Sequence, residues 1–242
     1  MTSPTRFPTG ISTSVVGSFT GDLPYADPFH SSTNPSTDVF LYANDYSDLG
    51  LSTNNTITGT SSTFALTDGV GGIALITPGG VSTVTTVAHT ASAFQFVSGK
   101  KFWYGARLAT SGVGSGVITR FGLQNGTGAN TTNDSIYFTK VTAASGGVNL
   151  VSTVATTATT LVTNVVSSTA AATYIDVGFY YDGTDLLVFA NDALVARVSA
   201  PTIGASATTL TNTLMTPFFQ ITPVATETMS IDYVLAASEI VR

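Results

Sequence analysis

The sequence predicts an all-β fold, an antiparallel β-sandwich preceded by an extended N-terminal arm. Three observations carry that expectation. From about residue 38 onward, short runs rich in Val, Ile, Thr, Phe and Tyr are separated by Gly, Asn, Asp and Ser, which is a strand-and-turn rhythm. Within those runs apolar residues recur at period two, so each strand has one apolar face, as in antiparallel sheets packed face to face. Apolar residues nowhere recur at helical spacing over three turns, and the density of Thr and Val disfavours helix in any case. Many strands with no helical pattern point to a sandwich or jelly roll.

Taken in order, residues 1–37 form the arm and 38–242 the sandwich. Five of the nine prolines (Pro4, Pro8, Pro24, Pro28 and Pro35) fall in the first 35 residues. Proline removes a ladder donor and pushes its predecessor to extended geometry, so this region is not central strand. It still carries apolar anchors at Phe7, Ile11, Val15, Phe19, Tyr25 and Phe29. A solvated tail has no need of them, so the arm lies on something, its own domain or a neighbour's. Strands are expected at 38–43, 63–67, 71–76, 81–87, 93–97, 101–109, 116–124, 135–142, 147–153, 159–165, 173–181, 185–190, 193–199, 214–222 and 228–237.

Alternation assigns the faces. Phe102, Tyr104, Ala106 and Leu108 oppose Lys101, Trp103, Gly105 and Arg107; Ile175, Val177, Phe179 and Tyr181 oppose Tyr174, Asp176, Gly178 and Tyr180. Near the end, Met229, Ile231, Tyr233 and Leu235 are placed together, opposite Ser230 and Asp232. Segment 143–172 is close to low complexity in Ser, Thr, Ala and Val, yet too apolar for a solvated linker, and is read as strands. "YYDG" and "ANDA" are tight turns. Gly183 takes a positive φ at no steric cost, Asn191 and Asp192 tolerate left-handed geometry, and Asp182 caps its own corner, so these four are structural residues.

Composition excludes several functions. Charged residues are 9% of the 242, against about 25% in ordinary soluble proteins, so the surface is covered largely by Thr, Ser, Asn and Gly. A net charge of −6 with eight basic residues argues against a nucleic-acid partner. No apolar run approaches a membrane span, and "MTSPTRFPTG" has no apolar signal core, which argues against Sec secretion. With no cysteine there is no disulfide, thiol nucleophile or thiolate metal site.

Candidate chemistry is sparse. His30 lies in the arm and His89 between strands, and no G-x-S-x-G elbow accompanies them. Glu227 and Glu239 share no strand and no paired-carboxylate spacing. The Asp pairs 182/185 and 45/48 are read as turn residues; "DYSDLG" and "DGTD" are too short for an EF-hand, and the glycine-rich "DGVGG" and "SGVGSG" lack a following Lys and helix. No cofactor, no metal and no enzymatic activity are therefore expected. A binding alternative is a glycan platform at the single tryptophan, Trp103, on a potentially outward face.

The C-terminal run "IDVGFYYDGTDLLVFANDALVARV", with "LMTPFFQI" and "MSIDYVLAASE", resembles concanavalin/laminin-G-like jelly rolls. The whole chain resembles more closely a group of tailed-bacteriophage head decoration and minor structural proteins. The segments that carry this resemblance are Arg6–Thr13, Tyr42–Tyr46, Gly99–Leu108, Val177–Gly183 and Ile231–Ala237, in that order. The resemblance implies a virion protein that decorates or cements the capsid shell, with the major capsid protein and further copies of itself, as a homotrimer, for partners. Arg6, Phe7, Tyr25 and Phe29 are then the expected contacts to capsid or neighbour. Long strand edges with few lysine guards fit burial in an assembly. A lectin-like module binding host glycans is the alternative expectation, and a glycosidase the third.

Overall fold

A computed structural model describes residues 39–46, 54–67, 72–140 and 143–239. The proposed arm, with Arg6, Phe7, Tyr25, Phe29 and His30, lies outside the described residues, as does Asp48. Along the chain run β1 (Val39–Asn44), β2 (Asn55–Thr58), β3 (Thr63–Thr67), β4 (Ile73–Thr77), β5 (Thr85–His89) and β6 (Phe102–Thr110). Then follow β7 (Ile118–Gln124), β8 (Ser135–Lys140), β9 (Val148–Val154), β10 (Thr157–Val166), β11 (Ile175–Tyr181) and β12 (Leu186–Ala190). The last are β13 (Ala193–Val198), β14 (Ile203–Gly204), β15 (Leu210–Thr211), β16 (Thr216–Thr222) and β17 (Met229–Glu239).

Two large antiparallel sheets face each other. One has eight strands in the order β13-β12-β11-β6-β17-β4-β3, with β1 also paired to β17; the other has seven, β10-β9-β8-β7-β16-β5-β2. A short parallel pair, β14-β15, stands apart. The fold is the all-β antiparallel sandwich that the alternating pattern predicts. Inward residues of the two sheets meet in an aromatic core centred on Phe179. Its ring lies 5.3 Å from Tyr104, 6.0 Å from Phe102 and 6.2 Å from Phe138, and Phe138 in turn is 5.5 Å from Phe121. Offset stacks of this kind add to the large apolar area that each ring buries.

Three differences from the predicted strands have physical causes. Segment 93–97 contributes only the bridge Phe94↔Met215, because Phe94 and Phe96 are spent plugging the core. β5 starts at Thr85 because the preceding residues turn, with Ser82 at φ 60° and Thr83 N–H donating to Gly80 O (3.2 Å). Within β17, the register against β6 shifts between Ile231 and Tyr233. This bulge reverses the alternation, so Tyr233 and Leu235 face outward and Val234 and Ala236 inward, contrary to the uninterrupted period of the sequence reading. The low-complexity segment makes the β9–β10 hairpin. Its two-residue turn, Ala155 and Thr156, has φ 48° and 70°, the doubly left-handed geometry normally given to Asn-Gly.

The outer face of the seven-stranded sheet is closed by the loop between β7 and β8. Buried Gln220 accepts the Asn130 amide (2.6 Å) and the Thr86 hydroxyl (3.1 Å) at one oxygen. Gln124 donates to the carbonyls of Gly126 and Gly128 (3.1 and 2.8 Å), and Arg120 donates to Asn130 O while lying over the Tyr137 ring. Beneath that loop Phe218 and Tyr137 pack edge to face. The loop is thus sewn down by polar side chains of the face it covers.

Candidate functional site

The outer face of the eight-stranded sheet is built differently. Its register sets three rows across β11, β6 and β17: Tyr180–Trp103–Ala237, then Gly178–Gly105–Leu235, then Asp176–Arg107–Tyr233. β12 extends the first two rows with Leu187 and Phe189, and Leu41 of β1 packs at the other side of the first. The paired glycines make a floor without side chains between an aromatic row and a charged one. The two rows are four residues apart along the strands, about 13 Å.

In the aromatic row Trp103 and Tyr180 stack at 5.2 Å with an interplanar angle of 21°. Trp103 is 1% exposed and its indole N–H has no hydrogen-bond partner. Burial, then the charges of Asp182 and Glu239, push the Tyr180 phenol up to about 12. Trp103 therefore faces away from the sandwich interior, yet neither ring face is open as a platform in this state.

The charged row is half-open. Tyr233 donates its hydroxyl to Asp176 Oδ2 at 2.6 Å, and Arg107 Nη1 donates to Asp232 Oδ2 at 2.5 Å. The Arg107 guanidinium also lies 5.0 Å from the Tyr174 ring centre, a cation–π contact. The Arg107 side chain is 42% exposed, whereas that of Asp232, at the bulge, is 5% exposed. Burial raises the Asp176 pKa; the Tyr233 hydrogen bond opposes the shift, Asp192 adds to it, and Arg107 and Asp232 act in opposite senses. Burial and the Asp176 charge push the Tyr233 phenol far up. Asn191 borders the row: its amide donates to Asp176 O at 2.8 Å and its side-chain oxygen accepts the Asp176 amide at 3.4 Å.

The residues read from sequence as turns sit at the corners of this face. Asp182 Oδ1 accepts the amides of Thr184 and Asp185 (2.8 and 2.7 Å), and Gly183 has φ 100° against the backbone of Gly99. Asn191 and Asp192 have φ 48° and 64°. Asp185 does something more. Its carboxylate takes the Ala200 amide at 2.8 Å and an Arg197 guanidinium, bonds that lower its pKa and tie the chain beyond β13 to the sheet edge. His89 accepts the Ala91 amide at Nδ1 (3.3 Å) and packs on Tyr42. Among the described residues no group of three or more His, Asp or Glu side chains is placed to hold a metal ion.

Sequence reasoning put Asp176, Arg107 and Trp103 on outward positions but did not join them into one site, and the bulge hid Tyr233. The usable signal was the echo of "YID" and "SIDY", an acid in each of two strands that both flank the "WYGAR" strand. Two open clefts compete with this face and are weaker. One of about 240 Å³ is lined by Phe40, Gln95, Leu214 and Glu239, but Glu239 Oε2 is engaged by the Lys101 amide (2.9 Å) and Gln95 by Asn212 O. The other, about 550 Å³ beside the β9–β10 hairpin, is lined by threonines, serine, alanines and valine and has neither ring nor charge.

No family model matches the chain, and no curated protein sequence matches it. Solved structures do. An endo-1,3-beta-glucanase from Streptomyces sioyaensis is similar at a TM-score of 0.56 and 13% identity, over 82% of this chain and 95% of that one. The carbohydrate recognition domain of Emp46p is similar at 0.55 and 10%, over 81% and 95%. A carbohydrate esterase from the Shiga toxin-encoding bacteriophage phi24B is similar at 0.54 and 12%, over 84% and 100%. The fold is thus a concanavalin-like jelly-roll sandwich. One expectation is corrected. The sequence reading held the chain not to be an enzyme, but several structures of this fold are glucan hydrolases, so a sandwich without a sequence-visible carboxylate pair is no ground for excluding catalysis.

Proposed function

We propose that the chain is a carbohydrate-binding sandwich that contacts its ligand on the outer face of the eight-stranded sheet, at Asp176, Arg107 and Tyr174. One observation carries the reading. A raised-pKa carboxyl, a half-exposed guanidinium and a tyrosine ring converge at one edge of a glycine-floored depression. Sugars are held by few, fixed polar groups on their hydroxyls and by apolar contact of their ring faces with aromatic side chains. Similarity in fold to glucanases and to a carbohydrate recognition domain supports the same class of ligand. A virion is the setting we propose for it, supported by the phage esterase among those structures and by the five ordered sequence segments. A glycan array that includes β-1,3- and mixed β-1,3-1,4-glucans tests the reading. Wild-type protein gives signals that Asp176→Asn and Arg107→Ala abolish; silence across the array removes it.

Hydrolysis is the second reading, favoured by the raised pKa of Asp176 beside the ion-paired Asp232. Two carboxyls in unlike surroundings divide acid and base roles in glycosidases. Here Arg107 stands between them and holds Asp232, so binding is the better-supported activity. Reducing-end release from the same glucans, lost in Asp176→Asn and Asp232→Asn, marks catalysis.

A further inference from the structure

The loop that closes the seven-stranded sheet begins with Asn125-Gly126, the one Asn-Gly pair in the chain. A backbone nitrogen can attack the side-chain amide carbon of the asparagine before it, and glycine hinders that attack least because it has no side chain. Three features favour the attack here. Asn125 and Gly126 are both exposed. A Cβ at Gly126, where φ is 84°, would meet nothing within 4 Å. The Gly126 amide, the attacking group, makes no hydrogen bond among the described residues. Asp182-Gly183 offers the same atoms but is tied down. Asp182 Oδ1 accepts two amides, and Gly183 O accepts the Gly99 amide (3.0 Å) and the Tyr181 hydroxyl (2.7 Å).

We propose that Asn125 is a self-modification site, converting to aspartate and isoaspartate, and that the conversion unclamps segment 211–214 from the base of the loop. The Gly126 nitrogen loses its proton to water and bonds to Asn125 Cγ. The Cγ–Nδ2 bond breaks and ammonia leaves, closing a five-membered imide. Water then opens the ring at either carbonyl, giving aspartate or, with the main chain rerouted through the side-chain carbon, isoaspartate. One water is consumed and one ammonia released, with no change of oxidation state. The structural consequence lies in what Asn125 holds. Gln124 pairs with Ser135, and the next residues outward, Asn125 and Asp134, are joined by the Asn125 amide donating to Asp134 O at 2.8 Å. Their side chains grip one segment. Asp134 Oδ2 accepts the Thr211 and Thr213 hydroxyls (3.0 and 2.9 Å), and Asn125 Nδ2 donates to Leu214 O (2.9 Å). A carboxylate at position 125 removes that donor, confronts the Leu214 carbonyl and stands across from Asp134, a like-charge cross-strand pair. Isoaspartate also lengthens the main chain by one carbon, which spoils the pairing of 125 with 134. The proposal is independent of the carbohydrate reading, which concerns the other sheet.

The test ages the folded full-length protein at mildly alkaline pH and follows each asparagine by peptide mass spectrometry, with enzymatic methylation to mark isoaspartate. Conversion at Asn125 is expected to be at least about tenfold faster than at Asn164, Asn191 and Asn212, exposed asparagines followed by Val165, Asp192 and Thr213. Asn125→Gln, whose longer side chain closes a less favourable six-membered ring, stays unconverted. Hydrogen exchange then reads the clamp in the aged protein and in Asn125→Asp, which carries the charge of one product. Amides of 211–214 are expected to exchange at least about tenfold faster than in fresh wild type, with those of β6, β11 and β17 unchanged. Conversion at position 125 no faster than at the other three asparagines overturns the site. Unchanged exchange at 211–214 in both the aged protein and Asn125→Asp overturns the unclamping.

Discussion

The two outer faces of the sandwich solve one problem in opposite ways. On the seven-stranded sheet the cover is local and polar: the loop joining β7 to β8 folds back and is pinned by Gln220, Gln124 and Arg120 to the strands it springs from. On the eight-stranded sheet the buried row is apolar, its indole N–H is unpaired, and the adjoining row is charged and half-open. Hydrogen bonds fix a loop in one geometry, whereas apolar contact is non-directional. The first face is therefore scaffold, and the second, with its half-open charged row, is the one proposed to meet ligand.

Substitutions test how far the two faces differ. Trp103→Ala has the largest expected effect, a loss of about 3–5 kcal/mol in unfolding free energy, the ordinary cost of emptying a fully buried aromatic site. A denaturant titration showing a loss below about 1 kcal/mol means that the indole is in effect solvated. Gln220→Leu comes next. It fills the same volume but strips the Asn130 amide of its acceptor, costing about 1–3 kcal/mol. It should also raise amide exchange in the 125–134 loop while leaving Trp103 emission untouched. If emission shifts as well, the two faces are not independent.

Asp176→Asn separates the faces by pH. Because folding raises the Asp176 pKa, the wild type binds that proton more tightly when folded; the contribution is full below the ordinary Asp pKa and is lost as pH rises through the raised one. The amide variant has no such loss. Its stability relative to wild type should therefore grow across that window and be constant on either side, which urea midpoints at a series of pH values will show. A constant difference at all pH values contradicts a dehydrated Asp176. The smallest effect is expected at the hairpin of the covered sheet, where Thr156→Gly relieves a β-branched residue held at φ 70° and gains up to about 1 kcal/mol.

What the sequence made legible follows from what is local. Period-two alternation placed Trp103, Gly105 and Arg107 on one face and Asp176, Gly178 and Tyr180 on another, and the register of β6 with β11 makes those one surface. Register is a property of pairing between distant strands, so the rows themselves could not be read. The bulge near Asp232 was hidden for a related reason, since one extra residue flips the phase of everything after it. β2 is too polar to stand out, and β14 and β15, at two residues each, are too short. The Ala155-Thr156 turn carried no glycine or asparagine to betray it. Its geometry is imposed by the pairing of β9 with β10 and by Asp134, whose Oδ1 accepts the Ala155 amide at 2.7 Å.

A calorimetric titration with soluble mixed-linkage β-1,3-1,4-glucan, wild type against Arg107→Ala in the full-length chain, asks whether the charged row holds the ligand. Arg107 is the exposed member of the charged row, so its truncation removes the proposed ligand contact. Saturable binding is expected of the wild type and at least about a tenfold weaker constant of the variant, or about 1.4 kcal/mol. Binding of equal strength by both proteins would place the ligand elsewhere on the sandwich, and no binding by the wild type would rule out a glucan ligand on this face.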